Sequence, residues 1–520
     1  MTKRPVAVVA LCAAVLVLSA RQWAAPRVDA AFDAFWRASG PEAAASAAVA
    51  VAQSGVSVDE TLDRLRRGRA YAAAVPRGVV KLVRRTPAGE FPYTLDVPAS
   101  YDPSKRYQVR LQLHGGVGRP SPAMRGDGSV GSLAGREQIY LLPQSWHAAQ
   151  WWAPSQFENL RAILDTVKRT YNVDENRVVL AGVSDGGTAA YYFAMRDTTP
   201  YAAFLPLIGS IMVLRSSGLD LEGALFPNNM RNKPLFVVNA GRDRLYPTAH
   251  VEPVLDQLRA GGLSIDYHPQ PEGGHNTQWW PTVKEVFETF VAAHPRDPHP
   301  STLTWQTDQT ATRNRAHWLV IERLAPPAIA DELPDLNNVR EGSGPQFGLR
   351  TTGMRVMSVV PDSNAASVGF RPGDLITSVN RRVLPGGLDL SALMSVYQAG
   401  APLTFVVERG GASIELKGSY RPTIMAQVSP LFPPDRPSGR VDVVRDGNTV
   451  HASTRGVAAF RLLLSPDVFD FSRPITVIAD GARVYEGRVQ ARVETLMKWA
   501  ARDNDRTMLY GAELAITKPE

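Results

Sequence analysis

The sequence predicts an α/β fold, a mostly parallel sheet flanked by helices, over its central part, followed by β-rich sequence. Three observations carry this. The apolar run Arg177-Val178-Val179-Leu180-Ala181 leads directly into Gly182-Val183-Ser184-Asp185-Gly186-Gly187, a strand entering a sharp turn that opens a helix. Upstream, Tyr107–Leu113 alternates polar and apolar residues and runs straight into His114-Gly115-Gly116. Downstream, the strand-like Pro234–Val238 ends in Asn239-Ala240-Gly241-Arg242-Asp243, and a Gly273-Gly274-His275-Asn276 loop follows. The interval between Asp243 and His275 holds one helix and one strand, for which Pro253–Leu258 and Leu263–His268 are the candidates.

These loops carry residue types that fit nucleophilic catalysis. A serine hydroxyl is a weak nucleophile until a base removes its proton, and neutral imidazole titrates near working pH. Ser184 is therefore read as nucleophile and His275 as base, ahead of His250, His268 and His294. A carboxylate on the second imidazole nitrogen fixes the tautomer; Asp243, just past a strand end, is preferred to Asp256 and Asp266. The oxyanion of a tetrahedral intermediate needs preorganised N–H donors. The backbone of Asp185 supplies one and the Gly115-Gly116 segment another. His114 is read as shaping that loop, and the Asp185 carboxylate as solvated.

With those motifs in place, residues from about Phe91 to Pro295 resemble the α/β-hydrolase superfamily. The nearest likeness is its extracellular esterase branch of polyester depolymerase-like, feruloyl-esterase-like and phospholipase/carboxylesterase proteins. Leu113–Gly116, Tyr171–Val178, Gly182–Gly187, Asn239–Asp243 and Gly273–Asn276 carry the resemblance. It implies a catalytic domain over 77–296 that cleaves small-molecule or polymeric carboxylic esters through an acyl-enzyme. A serine peptidase and a non-catalytic binding protein are the alternatives. No cofactor is implied, and no His/Cys/carboxylate cluster has zinc spacing.

A second resemblance follows. Met354–Pro361 reads as a strand ending in a turn, a helix starts near Ser363, and Gly369-Phe370-Arg371-Pro372-Gly373-Asp374 launches the strand Leu375–Asn380. Glycines at 369 and 373 suit positive-φ turns, and Asp374 can cap its turn. This is similar to a bacterial PDZ domain, over 343–425. The usual glycine after the asparagine is Arg381 here. The resemblance implies that the backbone of the Phe347-Gly348-Leu349 loop holds a peptide C-terminus, with Ser391–Tyr397 as the helix closing the groove. A PDZ fold that only packs against the hydrolase is the other reading.

The flanks complete the chain. Met1-Thr2-Lys3-Arg4 followed by the apolar run Pro5–Ala20 reads as a signal peptide over 1–25. The protein is therefore expected to be exported, periplasmic or secreted, with an uncleaved anchor as the alternative and no other membrane span. Cys12, the only cysteine, lies in that run. Residues 28–75 are Ala-rich with helical spacing, and Ser57 with Glu60 forms a capping-box pattern. Tyr71–Pro98 turns β-like and suits the first antiparallel strands. Trp151-Trp152 and Trp279-Trp280 flank the proposed site, as acyl-pocket walls or as core.

Downstream, Thr302–Trp305, Ala316–Ile321, Arg440–Val444, Ala458–Leu464 and Ile475–Ala479 read as strands, with hairpin turns at Asp446-Gly447 and Asp480-Gly481. One β-rich domain over 300–335 and 436–518, interrupted by the PDZ-like stretch, accommodates them. The formal charge of +7 does not point to nucleic acid. It comes from arginines scattered along the chain without an accompanying aromatic-and-basic motif.

Overall fold

The apolar, β-branched run in 173–183 is the signature of a strand covered on both faces. In the structure, a computed structural model, it lies inside an eight-stranded sheet. The residues described are 27–122, 127–326, 336–342, 347–383, 390, 394, 397–398, 400–421, 426–432 and 436–518. The signal segment 1–25 and most of the predicted groove helix Ser391–Tyr397 lie outside them.

The strands are β1 (Gly78–Thr86), β2 (Gly89–Val97), β3 (Tyr107–Leu113), β4 (Ile139–Pro143), β5 (Val173–Val183), β6 (Ala203–Leu207), β7 (Leu235–Val237) and β8 (Ile265–Tyr267). Their order is β1-β2-β4-β3-β5-β6-β7-β8. β1 pairs antiparallel with β2, and β2 antiparallel with β4; every later pair is parallel. An antiparallel entry into a parallel sheet with a β3/β4 order swap is the α/β-hydrolase topology.

Helices α1 (27–37), α2 (Pro41–Ala52) and α3 (Val58–Arg67) precede the sheet, and α4 (Pro154–Thr170), α5 (Asp185–Arg196), α6 (Thr248–Ala260) and α7 (Trp280–Ala293) punctuate it. Val179 and Ala181 of β5 pack with Val283, Phe287 and Phe290 of α7. Val178 and Leu180 between them are equally buried and, by strand alternation, face the opposite side. α4 and α5 pack together there through stacked Phe157 and Phe193.

Ser57 caps α3 by accepting from the Glu60 N–H, while the Glu60 carboxylate turns to Arg64. The apolar faces of α1–α3, including Phe32, Phe35 and Leu65, are buried against a helix near the other end of the chain, Val493–Asp503, through Leu496 and Met497.

Beyond α7, two antiparallel-dominated sheets share one apolar core. One contains Thr302–Thr307, Gly439–Asp446, Thr449–Arg455, Ile475–Ala479 and Ala482–Gly487; the other contains Arg315–Ala316, Leu319–Leu324, Val457–Leu464 and Ala512–Thr517. Both combine strands from before and after the PDZ-like stretch. The single strand expected over Ala316–Ile321 is split: Ala316 ends one strand, Leu319–Ile321 begin the next, and His317-Trp318 turn between them. His317 sits at φ 48, its N–H donating to Thr199 Oγ1, and the chain reverses there.

Residues Asn338–Leu431 form a separate compact unit. Its sheet contains Leu349–Thr352, Arg355–Val359, Leu375–Val379, Pro402–Arg409 and Ala412–Ser419. The helix Asn364–Val368 is capped by Ser363 and ends at Gly369. Asp374, with a fully buried side chain, accepts from Arg371 N–H and pairs with Arg409 at 2.7 Å. Asn380 and Arg381 both hold positive φ, 46° and 66°, so the hairpin turn survives the arginine. The Phe347 ring is buried among Phe370, Phe405 and Tyr420, and its carbonyl accepts from Ala365 N–H. Its side chain is thus core, and the Gly348 carbonyl is likewise taken, by Val360 N–H.

Candidate active site

Four loops at the carboxyl ends of the parallel strands build the site. The turn after β5 is the tightest. Ser184 sits at φ 57, ψ −119, a conformation that side chains other than glycine adopt at a cost of about 1–3 kcal/mol. Its N–H donates to Leu207 O at the end of β6, and its carbonyl accepts from Thr188 in the first turn of α5. The flanking glycines are sterically required: a Cβ on Gly182 falls 2.0 Å from Gly186 O. The turn thus holds the hydroxyl above the sheet edge.

The loop after β7 brings Asp243, and the loop after β8 brings His275. They are joined by Arg242 N–H donating to Gly273 O, by Gly241 N–H donating to Gln270 O, and by an exposed Arg242–Glu272 ion pair. Asp243 Oδ2 lies 2.8 Å from His275 Nδ1, and His275 Nε2 lies 2.9 Å from Ser184 Oγ. The Asp243 side chain is fully buried, whereas His275 keeps 25% of its side chain exposed. Asp243 Oδ1 accepts from the Leu245 and Tyr246 N–H groups. Asp256 and Asp266 are spent elsewhere, on Arg259 and His268.

The loop after β3 supplies the fourth wall. Gly115 lies so close to Ser184 that a Cβ there meets Ser184 Cβ at 2.7 Å. His114 is built into the scaffold. Its Nε2 accepts from Ser145 N–H, its Nδ1 faces Gly115 O at 2.9 Å, and its carbonyl accepts from Trp151 Nε1.

Of the three expected oxyanion donors, the Gly115 and Asp185 amides carry no hydrogen bond among the described residues. The Gly116 amide does: it and Val117 N–H both donate to Asp185 Oδ2, each at 2.9 Å. The Asp185 carboxylate, expected in solvent, is therefore tied to the loop opposite.

Sequence reasoning missed three contributors. Asp185 acts through its side chain as well as its backbone, and Arg119 donates to Gly115 O and Gly116 O. The Tyr246 ring stands edge-on to His275 at 5.7 Å. Burial, and then the Asp185 and Asp243 carboxylates, push the Tyr246 phenol up, keeping it neutral. Only its place three residues after Asp243 marked it. Leu245 beside it is 59% exposed, an apolar surface at the mouth of the site.

The four tryptophans are core. Trp151, Trp152, Trp279 and Trp280 are between 0% and 6% exposed. A cavity of about 810 Å³ lies away from the triad, lined in part by Arg161, Arg196, Arg315 and Asp503. Arg161, Arg196 and Arg315 are paired with Asp197, Asp308 and Asp503. Among the described residues no group of three or more His, Cys, Asp or Glu is placed to hold a metal, and no helix is long and apolar enough to cross a membrane.

Comparison with known proteins adds the following. Residues 355–409 match the PDZ domain family. Metalloprotease MmpA of Caulobacter vibrioides is 33% identical over 75 residues, covering 14% of this chain and 19% of that protein. Probable feruloyl esterase C of Aspergillus terreus is 25% identical over 157 residues, covering 29% of this chain and 57% of the relative. The chain thus spans about a fifth and somewhat over half of these two relatives. Among solved structures, esterase 2 of Thermogutta terrifontis superposes with a TM-score of 0.36 at 14% identity, over 42% of this chain and 94% of that one. The S-formylglutathione hydrolase of Staphylococcus aureus gives 0.31 at 15% identity, over 42% and 99%.

Proposed function

We infer that this chain, an α/β-hydrolase fold interrupted downstream by a PDZ domain, is a serine hydrolase that cleaves carboxylic esters. One observation carries the reading: the unbroken hydrogen-bonded path from Asp243 through His275 to Ser184, in a strained turn that holds the hydroxyl above the sheet. Ser184 Oγ attacks the ester carbonyl as His275 Nε2 takes its proton, and Asp243 stabilises the resulting imidazolium. The negative oxygen of the tetrahedral intermediate accepts from the Asp185 and Gly115 amides. His275 returns the proton to the departing alcohol, leaving an acyl-Ser184. Water, deprotonated by the same imidazole, releases the acid.

The stretch shared with probable feruloyl esterase C supports an ester over an amide substrate. The leader-like residues 1–25 support export. The PDZ match over 355–409 supports docking of a peptide C-terminus, for which the resemblance offers the backbone of Phe347, Gly348 and Leu349, just ahead of the matched stretch. A tagged fluorophosphonate applied to wild type and Ser184→Ala tests the catalytic reading. Labelling confined to folded wild type is expected; equal labelling of both, or none of a folded wild type, defeats it. Comparing kcat/KM for ester and peptide substrates then separates esterase from peptidase.

A further inference from the structure

The Asp185 side chain is not needed for the triad, yet it is tied to the loop that faces Ser184. One oxygen accepts two consecutive amides, Gly116 and Val117, from a loop 69 and 68 residues earlier in the chain. The same loop is held from its other edge by Arg119, whose guanidinium takes the Gly115 and Gly116 carbonyls at 3.0 Å each. Peptide groups are planar, so fixing a carbonyl and the following amide fixes that whole unit. The peptide units 115–116 and 116–117 are both gripped this way. The donor left to face the reacting carbonyl is Gly115 N–H, in the adjoining 114–115 unit, whose His114 carbonyl is held by Trp151 Nε1 and whose far end is set by the gripped 115–116 unit.

An anionic side chain one residue from a developing oxyanion carries an electrostatic cost. Here that charge is offset by two N–H donors and by its place in the first turn of α5, where the helix dipole favours a carboxylate.

We propose that the Asp185 carboxylate is a positioning residue: it presets the 115–117 loop so that the Gly115 amide meets the oxyanion without reorganisation. The proposal rests on the triad reading above. Displacing a preorganised donor is costly because its energy is realised only in the transition state, up to 10²- to 10³-fold in kcat when one donor is lost outright.

The test compares wild type with Asp185→Ala and Asp185→Asn on p-nitrophenyl acetate, with amide exchange followed in the peptide containing Gly116 and Val117. Asp185→Ala is expected to lower kcat by about 10- to 100-fold with KM changed less than about threefold, and to speed exchange of those amides by at least about tenfold. Asp185→Asn keeps an acceptor oxygen and is expected to recover most of both losses. Should the alanine variant fail to fold, Asp185→Glu keeps the charge but displaces the oxygen by one methylene, and a kcat loss of about tenfold is expected. A folded Asp185→Ala with unchanged kcat, or with fast-exchanging amides and full activity, overturns the proposal while leaving the triad reading intact. A wild type that neither takes the fluorophosphonate nor turns over the ester removes both.

Discussion

The Arg296 guanidinium and the Asp505 carboxylate meet at 2.7 Å with neither side chain exposed to solvent. Arg296 also donates to Asn176 Oδ1 on β5 and to Thr507 Oγ1, so the pair fastens the hydrolase sheet to the segment after the Val493–Asp503 helix. Burial alone raises the Asp505 pKa, but Arg296, Lys168 and the Thr507 hydrogen bonds outweigh it and hold the carboxyl well below the usual range.

A depressed folded pKa makes the stabilisation complete above the unfolded value, about 3.9, and progressively lost as pH falls below it. Denaturant midpoints are expected to be flat near neutrality and to fall from about pH 5 downward. Asp505→Asn leaves Arg296 buried without its counter-ion, at a cost of about 3–5 kcal/mol at pH 7, and is expected to flatten that acid slope. Urea melts of both proteins at several pH values measure each effect.

Asp243→Asn retains an oxygen for the Leu245 and Tyr246 amides but turns an NH₂ toward His275 Nδ1. The imidazole then carries its proton on Nε2 and cannot accept one from Ser184. A loss of about 10⁴-fold in kcat is expected, with melting temperature nearly unchanged. Steady-state kinetics beside a thermal scan distinguishes this from unfolding.

Gly115→Ala places a methyl 2.7 Å from Ser184 Cβ and 3.2 Å from its Oγ. Either the serine or the oxyanion loop must move. Shifts of this size are expected to slow acylation by at least about tenfold, read as the rate of fluorophosphonate labelling, while the far-ultraviolet spectrum stays that of wild type.

Limited proteolysis is expected to cut on either side of the Asn338–Leu431 unit without releasing the flanks from each other. Leu319–Leu324 pairs with Val457–Leu464, and Thr302–Thr307 with Gly439–Asp446, so each sheet is stitched across the insertion. Asn337 and Phe432 add a reciprocal pair of hydrogen bonds at its base. Size-exclusion chromatography of the nicked protein checks this; flanks that separate contradict it.

What could be read from sequence was whatever local geometry dictates. The apolar run of β5, the glycines at 182 and 186 and the His275 loop are each imposed by their immediate surroundings, and the structure brings Ser184, Asp243 and His275 together as their chain order suggested. The Asp185 contact to Gly116 and Val117 was invisible because it is made across 69 residues by a side chain whose type suits solvent equally well. The turn at His317 breaks a largely apolar run of strand-forming residues, because Thr199 and Pro298 hold that residue. Trp151 and Trp280 belong to the core for a similar reason: aromatic bulk alone does not say which side of a loop it fills.

The stitching across the insertion also sets an order of events during synthesis. Leu319, Val320 and Ile321 leave the ribosome well over a hundred residues before their ladder partners Leu462, Arg461 and Phe460. At roughly 5–20 residues per second, that apolar strand waits on the order of ten seconds without its mate, and α1–α3 wait longer for Val493–Asp503. The PDZ unit, complete within its own 94 residues, has time to close first. The strands that wait belong to the β-rich sheets, and removal of Val493–Asp503 is expected to harm the N-terminal helices before it harms the PDZ unit.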